Sequence, residues 1–217
     1  MSARDGIGMT SGRTRLRMVE TLRREGVTDE RVLNAMTEIP RHIFVDEGIA
    51  SRAYEDVPLP IGYGQTISSP TIVALMTELL LEKKPMNKVL EIGTGCGYQT
   101  AVLAKLVKEV YTLERLAPLM DKARRHLRDL RYYNVRFKHA DGHAGYAEGA
   151  PYDGILMAAS ATHVPEALKQ QLAVGGRLVL PVGVEDQWLY VIDRTPSGFS
   201  EKRCAAVRFV PLVSGLA

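Results

Sequence analysis

Apolar positions recur every three to four residues over residues 14–25, where Leu16, Val19 and Leu22 share one stripe and Arg15, Arg17, Arg23 and Arg24 point elsewhere. That is the pattern of an amphipathic helix, and Gly26 stands where helices commonly end in a left-handed residue. Thr28 is placed to cap a second helix, with Asp29 and Glu30 in its first turn, Val32, Leu33, Met36 and Ile39 as its apolar face and Pro40 as its stop. From residue 41 to 70 the periodicity lapses among Pro58, Pro60, Gly62, Gly64 and Pro70. An aperiodic stretch of that length in a compact domain is more often functional than idle. Serine followed by Pro70 then opens a third helix along Ile72, Val73, Leu75, Met76, Leu79 and Leu80.

After Pro85 short apolar runs alternate with helical patterns. Strands are predicted at 88–92, 109–113, 135–139, 152–158 and 177–181, the last led in by Gly175-Gly176, and helices at 98–106, 116–130 and 165–172. Two final strands, 187–193 and 204–210, are joined through a Thr195-Pro196-Ser197-Gly198 turn too short for a helical crossover, so they pair antiparallel. The remaining alternation predicts an α/β fold: a mostly parallel sheet, helices on both faces, right-handed crossovers. Residues 1–84 read as an N-terminal helical extension and substrate-site segment, and 85–217 as the core, the two forming one compact unit. Residues 1–12 show no periodicity and are expected to fray.

Composition changes little in this picture. Of 217 residues 46% are apolar and 24% charged, enough for a full core. A net charge of +3, from 28 basic and 25 acidic residues, is too balanced to argue for nucleic acid. Arg124, Arg125, Arg128 and Arg131 read as a solvated helix face, and the five histidines show no metal-ligand spacing. Cys96 and Cys204 make no disulfide framework. No apolar run approaches the roughly 18 residues of a membrane span, and the N-terminal stretch lacks a signal-peptide core. A cytoplasmic protein without metal or membrane partner is expected.

The most informative segment is Val89-Leu90-Glu91-Ile92-Gly93-Thr94-Gly95-Cys96-Gly97-Tyr98. A strand feeding a glycine turn feeding a helix leaves backbone open to close approach by a ligand. Dinucleotide enzymes space such glycines G-x-G-x-x-G and seat a pyrophosphate on the helix N-terminus. Here the spacing is G-x-G-x-G behind an acid, Glu91. A carboxylate there repels phosphate and suits the ammonium of an amino-acid tail. Glu114, closing the second strand, stands where a carboxylate grips both ribose hydroxyls, and Asp141-Gly142 after the third would lie near an adenine ring. A glycine turn alone is common; three acids after three successive strands make it specific. The ligand implied is a nucleoside with a charged amino-acid tail, S-adenosylmethionine, leaving as S-adenosylhomocysteine. Its expected contacts are Glu91, Gly93, Thr94, Gly95, Gly97, Tyr98, Glu114, Asp141 and Gly142. The fold class is then a Rossmann-like S-adenosylmethionine-dependent methyltransferase fold.

From about residue 13 to the end the chain resembles the protein-L-isoaspartate (D-aspartate) O-methyltransferases. The marks are Pro40-Arg41 with Phe44-Val45, Leu59-Pro60-Ile61-Gly62, Gly64-Gln65-Thr66-Ile67-Ser68, the glycine loop, Asp141-Gly142, the run 175–183 and Arg208-Phe209-Val210-Pro211-Leu212. The Gln-Thr-Ile-Ser and Phe-Val-Pro-Leu motifs are the specific ones. The resemblance implies methyl transfer to the free carboxylate of L-isoaspartyl, or D-aspartyl, residues in damaged proteins; the ester then collapses to a succinimide that reopens partly to aspartate. It implies a hydroxyl contact from Ser68 to the substrate carboxylate, with Thr66 and Ile67 beside it and Thr66 also able to face the cofactor. It further implies that backbone around Arg208 to Val210 pairs with the substrate peptide. A monomer is expected.

The chemistry itself is undemanding. A carboxyl with a pKa of about 4 is already ionised at neutral pH, so no general base is needed. What remains is alignment and exclusion of water. A plainer role for Ser68 or Ser69 is to cap the helix at Pro70. Thr71 stands where some relatives carry histidine, so that histidine's role is not carried over, and Cys96 reads as a small filler rather than a nucleophile. An enzyme methylating RNA or a small molecule would instead show a stacking aromatic motif after the fourth strand, where Met157-Ala158-Ala159-Ser160-Ala161 offers none. A non-catalytic cofactor-binding module is a third reading, against which the intact loop counts.

Overall fold

A computed structural model describes residues 6–217; the first residues of the stretch expected to fray lie outside it, and Gly8–Thr10 form a 3-10 turn. Helix α1 (Gly12–Arg24) packs on α2 (Glu30–Glu38) and α3 (Pro70–Leu81). The buried face of α1 is Arg15, Met18, Val19 and Leu22. Val19 and Leu22 face inward as predicted, but Leu16 is 53% exposed and Arg15, predicted to point elsewhere, is buried in its stead. Its Nη1 donates to the carbonyls of Thr37 (3.1 Å) and Glu38 (3.0 Å), at the end of α2 where carbonyls lack helical partners. Nor is Thr28 the cap of α2: Asp29 is, its carboxylate accepting the Arg31 N–H. Thr28 instead donates its N–H and hydroxyl to Glu78 of α3.

The stretch expected to be irregular carries structure of its own. Two 3-10 segments, Arg41–Phe44 and Glu47–Arg52, lead into an antiparallel hairpin of β1 (Leu59–Gly62) and β2 (Gln65–Ile67). Strands of four and three residues are too short to show alternation. Gly62, Tyr63 and Gly64 turn between them with φ of 93°, 54° and 68°.

The remaining elements are β3 (Lys88–Ile92), α4 (Tyr98–Leu106), β4 (Glu109–Glu114), α5 (Ala117–Asp129), β5 (Val135–His139), β6 (Tyr152–Met157), α6 (Glu166–Gln170), β7 (Leu172–Val182), β8 (Gln187–Thr195) and β9 (Gly198–Val207). They build a seven-stranded sheet in the order β5-β4-β3-β6-β7-β8-β9, parallel through β7 and antiparallel at β7–β8 and β8–β9. The antiparallel final pair is as predicted, but β9 begins six residues before the predicted 204–210 and ends at Val207, so residues 208–210 lie beyond it. Strand β7 begins earlier than expected; Gly175-Gly176 is a bulge within it, where the register slips between Tyr152 and Gly154 of the neighbouring strand.

Helices cover both faces, unequally. Val89 of β3 joins a large core with buried side chains of α1 to α5, whereas Leu90 and Ile92 face a smaller one holding Leu168 of α6. Alternation along β3 therefore turns Glu91 toward the side of Val89, under α4.

Candidate active site

The sheet reverses its strand order between β3 and β6, and a cavity opens at the carboxyl ends of the strands around that point, as expected of an open α/β sheet. It holds about 940 Å³ of atom-free space, part of it open to solvent. The glycine loop forms its floor, with Gly93, Gly95 and Gly97 at φ of 90°, 53° and 92°. The loop's amides point into the protein. Those of Gly93 and Thr94 donate to the Leu113 carbonyl at 2.9 and 3.1 Å, that of Gly97 to the Thr94 carbonyl at 2.9 Å, and that of Gly95 to Glu114 Oε2 at 2.8 Å. Glu114 Oε1 accepts the Leu116 N–H at 3.0 Å. A phosphate cradle needs free amides and no carboxylate; this loop has committed its amides and placed a carboxylate among them.

Most of the predicted cofactor contacts line this cavity: Gly93, Thr94, Gly95, Tyr98, Glu114, Gly142 and Thr66. Three do not. Glu91 is fully buried behind the loop, its Oε2 accepting the hydroxyls of Thr100 (2.6 Å) and Thr112 (2.5 Å). Because Thr112 donates to Glu91, Thr94 must be the donor in its 2.6 Å contact with Thr112, so a hydroxyl chain runs from the cavity wall to Glu91. Burial pushes the Glu91 carboxyl up to about 8 despite those two hydroxyls. Its side chain does not itself line the cavity. Gly97 is glycine for packing: a Cβ there would stand 2.6 Å from Leu127 Cδ2 of α5. Asp141 is absent from the cavity lining, and its carboxylate accepts from the N–H and Nδ1 of His143 and the N–H of Gly215. Partial burial works against ionisation there, but those hydrogen bonds outweigh it and hold the carboxyl at about 2.

A second cleft adjoins the cavity. Thr66, Ser68, Ala158 and Val210 line both, and the cleft adds Arg208, Phe209, Ile72 and Pro58. Of the predicted substrate residues, Arg208 thus lies in the cleft alone and Ile67 in the cavity alone. Ser68 caps nothing: Ser69 is the N-cap of α3 and makes no side-chain cap bond. The Asp56 carboxylate serves that end instead, accepting the Thr71 N–H at 2.8 Å and hydroxyl at 2.7 Å. The hydroxyl of Ser68 is left without a hydrogen bond among the described residues, and that of Thr71 is committed.

Sequence reasoning missed Ala158, Ala159 and residues 211–213 as cavity wall. A small pair just past the end of β6 was the available signal, noticed only for lacking an aromatic. The strip 210–213 is laid across the sheet edge by the Ser160 N–H to the Val210 carbonyl (2.8 Å) and the Leu212 N–H to the Ser160 carbonyl (2.7 Å). Its far end is tied to Asp141 through Gly215 and to Arg115 through the Ala217 N–H. Phe209 has both backbone groups on the Gln187 side chain, so its N–H is spent. Cys96 is buried with its thiol pushed up to about 11, unsuited to nucleophilic work at neutral pH. Among the described residues no cluster could hold a metal ion, and no helix is long and apolar enough to cross a membrane.

The donor set fits a nucleoside without phosphates. Ile92, Leu113, Leu116 and Leu212 supply apolar walls, Gly142 sits against Ile92 with no room for a side chain, and Glu114 retains acceptor capacity for a diol.

Comparison with known proteins agrees with this geometry. The sequence profile of the family described as Protein-L-isoaspartate(D-aspartate) O-methyltransferase (PCMT) matches residues 13–217. The protein-L-isoaspartate O-methyltransferase of Dechloromonas aromatica is 59% identical over 211 residues, covering 97% of this chain and 98% of that protein. Its counterpart in Methylobacillus flagellatus is 59% identical over 218 residues, covering 99% and 98%. A solved protein-L-isoaspartate O-methyltransferase superposes with a TM-score of 0.84 at 31% identity, covering 93% of this chain and 67% of the other. A Plasmodium falciparum structure of that description, in complex with S-adenosyl-L-homocysteine, superposes with a TM-score of 0.80 at 29% identity, covering 92% and 98%.

Proposed function

The chain belongs to the protein-L-isoaspartate (D-aspartate) O-methyltransferase family and is an S-adenosylmethionine-dependent protein carboxyl methyltransferase, and on that premise we propose which of its residues do the work. The cavity on the glycine loop holds the cofactor, and the adjoining cleft receives the isoaspartyl or D-aspartyl carboxylate of a damaged protein. One observation carries this reading: the two spaces share a wall of Thr66, Ser68, Ala158 and Val210, so a carboxylate in one abuts a ligand in the other.

When bound, S-adenosylmethionine supplies a methyl group on a sulfonium that leaves readily. Glu114 holds the ribose diol, with its geometry set in advance by the amides of Gly95 and Leu116. The apolar walls take the adenine and exclude water, which strengthens every polar contact inside. Ser68 donates its hydroxyl to one oxygen of the substrate carboxylate, leaving the other directed into the cavity. No residue needs to accept a proton, because the substrate arrives ionised. Backbone pairing with the peptide falls to Arg208 and the Val210 N–H, since Phe209 is engaged. In this reading the segment before residue 85 brings Thr66 and Ser68 to the shared wall, and the core from residue 85 carries the glycine loop and the strip at 208–210. We read the protein as a cytoplasmic monomer acting on damaged proteins and not on nucleic acid; the two free cysteines suit a reducing compartment.

The test offers radiolabelled S-adenosylmethionine with an isoaspartyl peptide, the matching aspartyl peptide and bulk RNA. Base-labile label on the isoaspartyl peptide alone is expected; label on RNA, or none, overturns the reading. Ser68→Ala should lower kcat/KM by roughly 10- to 100-fold, the value of a hydrogen bond to a charged group. Unchanged turnover and affinity would remove Ser68 from the site.

A further inference from the structure

Arg41 is fully buried, yet its hydrogen bonds go to backbone carbonyls and not to a carboxylate. Nε donates to the Ala53 carbonyl at 2.8 Å and Nη2 to the Ser68 carbonyl at 2.6 Å. Nη1 has no partner among the described residues. The guanidinium lies 4.7 Å over the ring of Tyr98, whose own hydroxyl is buried without a partner and whose ring lines the cavity. Burying a cation without a matching anion is strongly unfavourable, and an apolar side chain would fill the space more cheaply. Core packing therefore does not account for an arginine here.

What the side chain does is tie three parts of the chain together at one point. It starts in the 3-10 segment Arg41–Phe44, reaches Ala53 beyond the second 3-10 segment, and ends on the residue before the cap of α3. Its planar fork sets both distances at once, which a lysine's single ammonium cannot do. Its stacking on Tyr98 refers this assembly to the first residue of α4, immediately after the glycine loop. Ser68 has no side-chain hydrogen bond to hold it, so its backbone alone sets the place from which its hydroxyl can reach. Arg41 itself lines neither cavity nor cleft.

We propose that Arg41 is a positioning residue for Ser68: by gripping the Ser68 carbonyl it aims the hydroxyl at the junction of cavity and cleft. This rests on the reading of Ser68 given above. The experiment is a double-mutant cycle of Arg41→Lys and Ser68→Ala, with kcat and KM for an isoaspartyl peptide, and S-adenosylhomocysteine affinity measured by calorimetry. Arg41→Lys should lower kcat/KM by about 10- to 100-fold, as a misplacement of the order of an ångström does. Affinity for S-adenosylhomocysteine should stay within about twofold, and on the Ser68→Ala background the same change should cost less than about threefold, since the two residues act as one unit. Effects that multiply, wild-type activity of Arg41→Lys, or a parallel loss of S-adenosylhomocysteine affinity would each overturn the proposal. Wild-type turnover of Ser68→Ala sinks the Ser68 reading whatever Arg41 does. If Arg41→Lys does not fold, Arg41→Gln takes its place in the cycle; failure of both to fold makes Arg41 a determinant of the fold alone and also overturns the proposal.

Discussion

Replacing Glu91 by glutamine tests whether a carboxyl in the most distinctive motif of the chain is neutral in the folded protein. The carboxyl is fully buried, two hydroxyls reach its Oε2, and its Oε1 has no partner among the described residues. Burial raises it from 4.5 to about 8, the two hydroxyls pull the other way, and the charge of Glu114 adds to the rise. A group raised in the folded state contributes stability in full below its unfolded pKa and loses it as pH climbs to the folded value. The window is therefore about pH 4.5 to 8. At roughly 1.4 kcal/mol per pH unit, the wild type should lose several kcal/mol across it. Glutamine cannot ionise and loses nothing on this account. Urea unfolding of the cofactor-free proteins from pH 4 to 9 gives the difference directly. It should be flat below about pH 4.5, grow in favour of Glu91→Gln, and level off above about pH 8. A difference that does not vary with pH, or that grows in favour of the wild type, would mean that Glu91 is ionised in the fold. The ammonium-facing role expected from the sequence would then return.

Gly97→Ala meets both a left-handed φ of 92° and a contact of 2.6 Å to Leu127 Cδ2, and should lower unfolding free energy by about 2–5 kcal/mol; a wild-type melting temperature would refute the packing argument. Asp141, held at about 2, contributes stability that is present above its unfolded value of 3.8 and lost as pH falls toward 2. Asp141→Asn should therefore be less stable than wild type at pH 7, with the gap closing in acid titrations of unfolding; a gap that persists at pH 2 contradicts it.

How much of this was legible follows from the range of each signal. Strand and helix order after Pro85 could be read from local alternation, and so could the carboxylate of Glu114, because strand ends and glycine turns are local events. A short apolar run reveals β3 but does not aim Glu91: Val89 and Glu91 share a face, and that face packs against α1 to α5. On α1 the inward place of Arg15 was not legible because it buries its charge on α2 carbonyls, a partner 22 positions away. The hairpin of β1 and β2 has too few residues to display a period. Ser68 was legible only through resemblance, and Arg41 only as a mark of that resemblance, because its task is a contact 27 residues along the chain. Legibility failed where function depends on contacts between distant segments.

The strip that crosses the edge of the sheet has a further consequence. Val210 belongs to both spaces, residues 211–213 wall only the cavity, and the end beyond them is tied to Asp141 and Arg115. One ribbon is thus a boundary to two ligands and a free wall to neither. Anything that shifts this strip therefore reshapes both spaces at once, and a substitution at Val210 is felt in each of them.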